Sequence, residues 1–288
     1  MLDNFLALPL TYHVCIAGVF GLMVGSFLNV VIYRFPKILH FQWTSQSYEW
    51  LNKEPYTEHE PPTLSKPASH CYSCKKTIKA WQNIPIISYL VLRGKCGNCQ
   101  SPISLRYPLI ELLTGVLSAY VLYHFGANSA GLFAVLLTWV LITLTFIDFD
   151  HQLLPDDIVL PTLWLGLALS IFNIYTTPVN SIIGAILGYL FFWVIFHGFK
   201  ILTGKEGMGH GDFKLMSLFG AWLGWQLLPQ IILLSTLFGS VVGISLLISK
   251  KADINNKIPF GPYIATAGLI ALLWGNKINQ LYLEKVWL

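Results

Sequence analysis

Two stretches of the chain set carboxylates at the edges of apolar runs. One is Phe146-Ile147-Asp148-Phe149-Asp150-His151, followed by Leu154-Pro155-Asp156-Asp157; the other is Gly207-Met208-Gly209-His210-Gly211-Asp212. A charge beside hydrocarbon is costly, so ionisable residues at the ends of membrane spans are markers of function. Two carboxylates held close together cannot both ionise; one keeps a proton, and such a pair can activate water while polarising a scissile amide carbonyl. Glycines at 207, 209 and 211 leave room for a peptide backbone beside Asp212. Asp156 and Asp157 follow Pro155 and precede an apolar run, the pattern of a capped helix start. Asp150 and His151 also read as solvated loop residues, and His210 either tunes Asp212 or stands exposed. Residue type and position leave Asp148 and Asp150 as alternatives for the first member of the pair. There is no H-E-x-x-H and no G-x-S-x-G, which removes two common hydrolase signatures.

Four of the five cysteines form two pairs, Cys71-x-x-Cys74 and Cys96-x-x-Cys99, with 21 residues between them. That is close to the spacing at which two knuckles converge on one tetrahedral zinc. Disulfides are the competing reading, and they rarely persist in a reducing cytosol, where the charge pattern puts this segment. Four thiolates leave no open position for water or substrate, so the expected zinc is structural. Cys15 stands alone in an apolar run and reads as a small buried hydrophobe.

These groups need elements to position them, and composition says which. Of 288 residues 55% are hydrophobic and 11% charged, with mean hydropathy +0.60; soluble domains carry about 25% charged residues. A soluble globular enzyme is excluded, and the chain reads as an all-α polytopic membrane protein. Apolar runs at about 14–33, 107–124, 131–147, 158–175, 181–199, 215–228, 229–248 and 260–275 predict about eight transmembrane helices. No Lys or Arg precedes the first run, so it reads as a retained span instead of a cleaved signal. The polar segment 34–106 holds 10 of the 18 Lys and Arg. With Lys200, Lys205, Lys214, Lys250, Lys251 and Lys257 these fall on one face, against Lys277 and Lys285 on the other. The positive-inside rule then puts segment 34–106 in the cytosol and both termini outside. Two spans separate Asp148 from Asp212, so both belong at the cytosolic surface. The net charge of +4 is a weaker guide than this placement. Gly21/Gly25, Gly184/Gly188, Gly220/Gly224 and Gly239/Gly243 predict close helix packing. Residues 40–70 read as an irregular insertion or linker. The expected organisation is an N-terminal segment and first helix over 1–33, a cytosolic zinc segment with four cysteine ligands over 34–106, and a membrane peptidase domain of about seven helices over 107–288.

Over nearly its whole length the chain resembles the bacterial type IV prepilin peptidases, bifunctional leader peptidases and N-methyltransferases built as membrane aspartyl proteases. The likeness lies in Gly25-Ser26-Phe27-Leu28-Asn29-Val30-Val31-Ile32-Tyr33-Arg34, in the cysteine segment with Trp81, Asn83-Ile84-Pro85, Gly94-Lys95-Cys96 and Arg106-Tyr107-Pro108, and in Ile147-Asp148 with Leu154-Pro155-Asp156. It continues through Gly204-Lys205-Glu206-Gly207-Met208-Gly209-His210-Gly211-Asp212-Phe213-Lys214 and Pro259-Phe260-Gly261-Pro262-Tyr263. Residue 210 is His where an aromatic is frequent, and 40–70 follows no motif of the family. The resemblance implies Asp148 and Asp212 as the catalytic aspartates, with Asp150, Asp156 and Asp157 in support, and Cys71, Cys74, Cys96 and Cys99 as zinc ligands. It further implies that type IV prepilins and type II secretion pseudopilins are cleaved after a leader-terminal glycine. S-adenosylmethionine would then methylate the new N-terminus, at the bacterial inner membrane, with lipids as neighbours and no nucleic-acid partner. No glycine-rich strand-to-helix loop marks a site for that cofactor. The rival readings are a transporter with a cytosolic zinc knuckle and a zinc-bearing scaffold. A transporter predicts acids deep within spans and repeated halves, whereas here the acids sit at span ends.

Overall fold

The computed structural model describes residues 8–53, 56, 63–205, 207–249 and 258–286. Lys250, Lys251 and Lys257, Glu206 and both chain ends, all used in the topology or motif readings, lie outside the described residues. Among the described residues eight long helices follow one another: α1 Leu10–Trp50, α2 Arg106–Phe125, α3 Ser129–His151, α4 Asp156–Ile171, α5 Pro178–Thr203, α6 His210–Leu223, α7 Leu228–Ile248 and α8 Gly261–Val286. The same residues form no strands, only two isolated β-bridges. The chain divides into two compact units, Met1–Ala127 and Asn128–Leu288. Of the described helices, five are long and apolar enough to cross a membrane: α1, α2, α3, α5 and the stretch Trp225–Leu246. The protein is therefore a multi-pass membrane protein. Each apolar run found in the sequence falls on a helix, but α4 and α6 have only 16 and 14 residues. At about 1.5 Å per residue these are short of a hydrocarbon core about 30 Å thick.

In the first unit α1 and α2 pack as a pair, so α2 sits with the N-terminal part of the chain and not with the helices beyond 128. Contact is close because glycines face the partner: a Cβ at Gly25 would lie 2.8 Å from the Cα of Glu111. Asn29 Nδ2 donates to the Tyr107 carbonyl at 3.2 Å, fixing the register. Helix α1 does not end at Arg34 as expected but runs on to Trp50 through Pro36. Arg34 is buried, and its guanidinium donates to the carbonyls of Thr63 at 2.9 Å and Pro67 at 2.7 Å. Part of the segment read as an irregular insertion is thus helix, and part of the rest is laced back onto that helix.

In the second unit each turn is chemically marked. The Asn128 side chain caps α3 by accepting the Gly131 N–H at 2.9 Å, and Thr177 precedes Pro178 at the start of α5. Gly204 ends α5 at φ 69°. Helix α6 is buried on nearly every side, with Phe213, Leu215, Met216, Leu218, Phe219 and Ala221 fully enclosed. Its neighbours hold it by polar contacts to backbone: Ser217 Oγ donates to the Ala185 carbonyl at 2.7 Å, and Trp222 Nε1 donates to the Thr162 carbonyl at 2.8 Å. On α5, Gly184 lies against the Gly220 carbonyl, and a Cβ at Gly188 would come within 2.7 Å of the Met216 carbonyl. The small-residue pairs therefore serve helix packing inside each unit. Gly188→Ala should destabilise the detergent-solubilised protein by about 1–3 kcal/mol, the usual cost of overpacking. Gly198→Ala on the same helix, where a Cβ meets nothing within 4 Å, should raise the thermal midpoint slightly, since alanine is the better helix former by about 0.5–1 kcal/mol.

Candidate functional site

Asp148 lies in the last turn of α3 and Asp212 in the first turn of α6, and both helix ends meet the start of α8 at one end of the second unit. Both carboxylates are buried, 5% and 7% exposed, and they lie within electrostatic reach of each other. Asp148 Oδ2 accepts the Gly261 N–H at 3.0 Å, a bond between residues 113 positions apart. A Cβ on residue 261 would sit 2.6 Å from the same oxygen, so a side chain there would push the Asp148 carboxylate from its place. Leu154, in the turn after α3, packs on both sides of the site. A Cβ at Gly211 would meet its Cβ at 2.8 Å, and one at Gly261 would meet its Cδ1 at 3.2 Å. The arrangement is a recessed pair of carboxyls with a backbone donor on one of them and Gly209 and Gly211 in the chain beside the other.

The neighbouring acids and histidines separate from this pair. Asp150 and His151 are exposed. Asp156 does not cap α4, whose N-cap is Pro155; its two oxygens each lie 2.7 Å from Lys214 Nζ, linking the first turns of α4 and α6. His210 packs edge-to-face on Phe196 with centroids 4.9 Å apart. Pro259-Phe260-Gly261-Pro262-Tyr263 has no role legible from its residues alone. The missed residue is Gly261, and the only local signal was a glycine followed by a proline at a helix start.

The four cysteines come together in the first unit, with their sulfurs all within 4.8 Å of one another. Two turns of the same form deliver them. In each, the first cysteine's N–H donates to the carbonyl five residues on, Cys71 to Lys76 at 2.9 Å and Cys96 to Ser101 at 2.8 Å. Its carbonyl accepts from the residue four on, Lys75 at 2.9 Å and Gln100 at 3.0 Å. Lys75 and Gln100 both take positive φ, 59° and 58°, and β-bridges His70–Thr77 and Lys95–Pro102 close the two turns. The Cys71–Cys99 sulfur separation of 3.7 Å matches the roughly 3.8 Å expected for thiolates about 2.3 Å from one tetrahedral ion. It is far too long for a disulfide. The Cys74 backbone N–H and the Ser101 hydroxyl pull the Cys71 thiol down to about 6, which favours the ligating thiolate. Asn98 Nδ2 reaches Cys74 Sγ at 3.6 Å while its Oδ1 accepts from Lys76 Nζ at 2.9 Å, a polar tie between the two turns. The cluster is thus able to bind a metal ion.

Comparison with known proteins agrees with this division. Residues 19–125 match the Bacterial Peptidase A24 N-terminal domain, and residues 135–244 match the Type IV leader peptidase family. The chain is 48% identical to the prepilin leader peptidase/N-methyltransferase of Pseudomonas aeruginosa, over 99% of this chain and 98% of that one. Proteins of the same name from Aeromonas hydrophila and Neisseria gonorrhoeae are 50% and 48% identical, over 92% and 90% of this chain and 91% and 90% of theirs. No solved structure matches. Full-length identity at this level, together with both domain matches, makes the chain a member of the type IV leader peptidase family.

Proposed function

We propose that the chain removes the leader peptide from type IV prepilins and related pseudopilins and then N-methylates the new terminus. The observation that carries the cleavage reading is the meeting of Asp148 and Asp212, buried together though 64 positions apart in the chain. Both stand at helix ends, where a bond at the membrane surface would be presented. In this mechanism the pair shares one proton and grips a water between its carboxyls. The ionised partner takes the water's proton as general base, and the protonated one donates to the carbonyl oxygen of the leader's last residue. The roles then exchange as the tetrahedral intermediate collapses onto the leaving amine. The Gly261 N–H keeps Asp148 turned so that its other oxygen is free for the water. A transporter would carry its acids in mid-span, and these stand in the last turn of α3 and the first turn of α6.

The metal is zinc in this reading, held by Cys71, Cys74, Cys96 and Cys99. It supplies folding free energy, since four thiolates close the coordination shell. The methyl donor is S-adenosylmethionine, which supplies an electrophilic methyl group. The location is the bacterial inner membrane, with the cysteine segment and both aspartates facing the cytosol and both termini outside. The basic residues of 34–106 and the flanks of α5 and α6 support that orientation.

Asp148→Asn and Asp212→Asn should each lose cleavage by at least about a hundredfold, the order of general acid–base terms. The double variant should lose no more than either single one, because the two act as a unit. Asp150→Asn should lose far less. Cleavage rates of purified variants in detergent test this, and an active Asp148→Asn beside an inactive Asp150→Asn would move the first catalytic position. Metal analysis of the purified chain should find about one zinc per protein, with metal and folded yield both falling in Cys71→Ser; a folded, active, metal-free protein would contradict the zinc reading. A reporter fused after Leu288 should report from outside the cytosol.

A further inference from the structure

The apolar run of α1 ends at Arg34. A hydrocarbon core takes about 20 helical residues to cross, so a run over 14–33 puts Arg34 at the level of lipid headgroups. There its side chain is buried, 7% exposed. Three carbonyls receive the guanidinium, those of Thr63 at 2.9 Å, Leu64 at 3.4 Å and Pro67 at 2.7 Å. An arginine has more N–H donors than that, and it is always charged. Carbonyls bring no opposite charge, and among the described residues no carboxylate pairs with Arg34. A buried charge is costly until an ion of the other sign joins it.

Arg34 lines a cavity of about 550 Å³ between α1 and the segment that folds back onto it. One part of the lining is apolar, with Met23 and Phe27 on α1 and Leu64 and Ile84 opposite. Met23 and Phe27 continue an exposed stripe made by Tyr12, Ile16, Val19 and Phe20. At about 100° per residue these six positions and Arg34 share one side of the helix, the side that α1 turns to the acyl chains. The other part of the lining is polar, with Ser65, Ser69 and Asn83 near Arg34 in the chain fold. A larger cavity shares Arg34, Pro67 and Ser69 with this one, and Lys37, Lys66, Lys76 and Lys79 stand on its walls. Its one carboxylate among the described residues, Glu111, is engaged by the Ile86 N–H at 2.8 Å. We propose that the smaller cavity seats an anionic phospholipid from the leaflet on the side of the cysteine segment, with its phosphate on Arg34 and its chains along Met23 and Phe27. A phosphate oxygen accepts the remaining guanidinium N–H groups and supplies the missing charge. Basic pockets beside membrane helices hold such headgroups. The lysines beyond Arg34 disfavour a zwitterionic headgroup, which would bring an ammonium among them. The apolar part of the lining distinguishes a lipid from a soluble phosphate, and the site takes no part in leader cleavage.

The test uses the full chain in detergent and native mass spectrometry, with phosphatidylglycerol as the anionic probe and phosphatidylethanolamine as the zwitterionic one. The chain should retain about one phosphatidylglycerol, bound at least about tenfold more tightly than the zwitterionic lipid. Arg34→Gln keeps an N–H donor for the carbonyls and removes the charge, so the preference should fall to within about twofold. Arg34→Lys keeps the charge and should hold a preference above that of Arg34→Gln. No preference in the wild type, or an undiminished one in monodisperse Arg34→Gln, would overturn the proposal. Glycerol 3-phosphate, which has the phosphate without the chains, should fail to displace the lipid; displacement would make this a site for soluble phosphates and sink the lipid assignment. Phosphatidylglycerol with a photoreactive acyl chain locates the site on the wild-type chain, whatever the fate of the variants. Cross-links should map to peptides that contain Met23, Phe27, Leu64 or Ile84, and cross-links confined to residues beyond 128 would refute the placement.

Discussion

The position of Asp212 depends on α6, and α6 is held by backbone contacts that ordinary side chains would prevent. Gly188 on α5 admits the Met216 carbonyl, Gly184 admits that of Gly220, and Gly166 on α4 leaves space for Trp222. Between membrane helices there is little hydrophobic drive, because lipid is as apolar as a leucine side chain, so close approach and hydrogen bonds must supply the attraction. Helix α6 has both. Being enclosed, it can be only 14 residues long without exposing unsatisfied backbone to lipid. A short, enclosed helix brings its first turn, and with it Asp212, to the level where α3 ends.

The remaining part of that site comes from α8. Its first N–H is one of the unpaired donors that every helix presents at its N-terminus, and here it is spent on Asp148. One bond thereby satisfies a helix end, orients a carboxylate and joins segments far apart in the chain. Lys214 and Asp156 make a comparable link between α4 and α6 nearer to solvent, at 28% and 51% exposure. It contributes little to stability at that exposure, and its effect is to align the two first turns.

The metal cluster follows a different logic. Each knuckle is a local structure, closed by hydrogen bonds within seven residues, and its geometry recurs in the second knuckle. Only the pairing of the two turns is long-range, and Asn98 with Lys76 supports it. The first unit can therefore hold its polar segment in shape with few buried apolar residues.

What the sequence by itself determined is whatever is written in local chemistry or in total apolar length. The cysteine spacing named the four members of the cluster because each C-x-x-C turn is self-contained, and the runs of apolar residues located each helix because lipid demands them. Charge placement led to the expectation that Asp148 and Asp212 share one surface. The choice between Asp148 and Asp150 was not legible from position and residue type. At about 100° per residue, positions two apart point to nearly opposite sides of a helix, and which side is buried depends on the neighbours. Only the tertiary structure decided that Asp148 faces inward and Asp150 outward. It alone showed α1 running on to Trp50 and Arg34 meeting carbonyls about thirty residues ahead. It alone brought Gly261 to Asp148, since no local pattern encodes a contact across 113 positions.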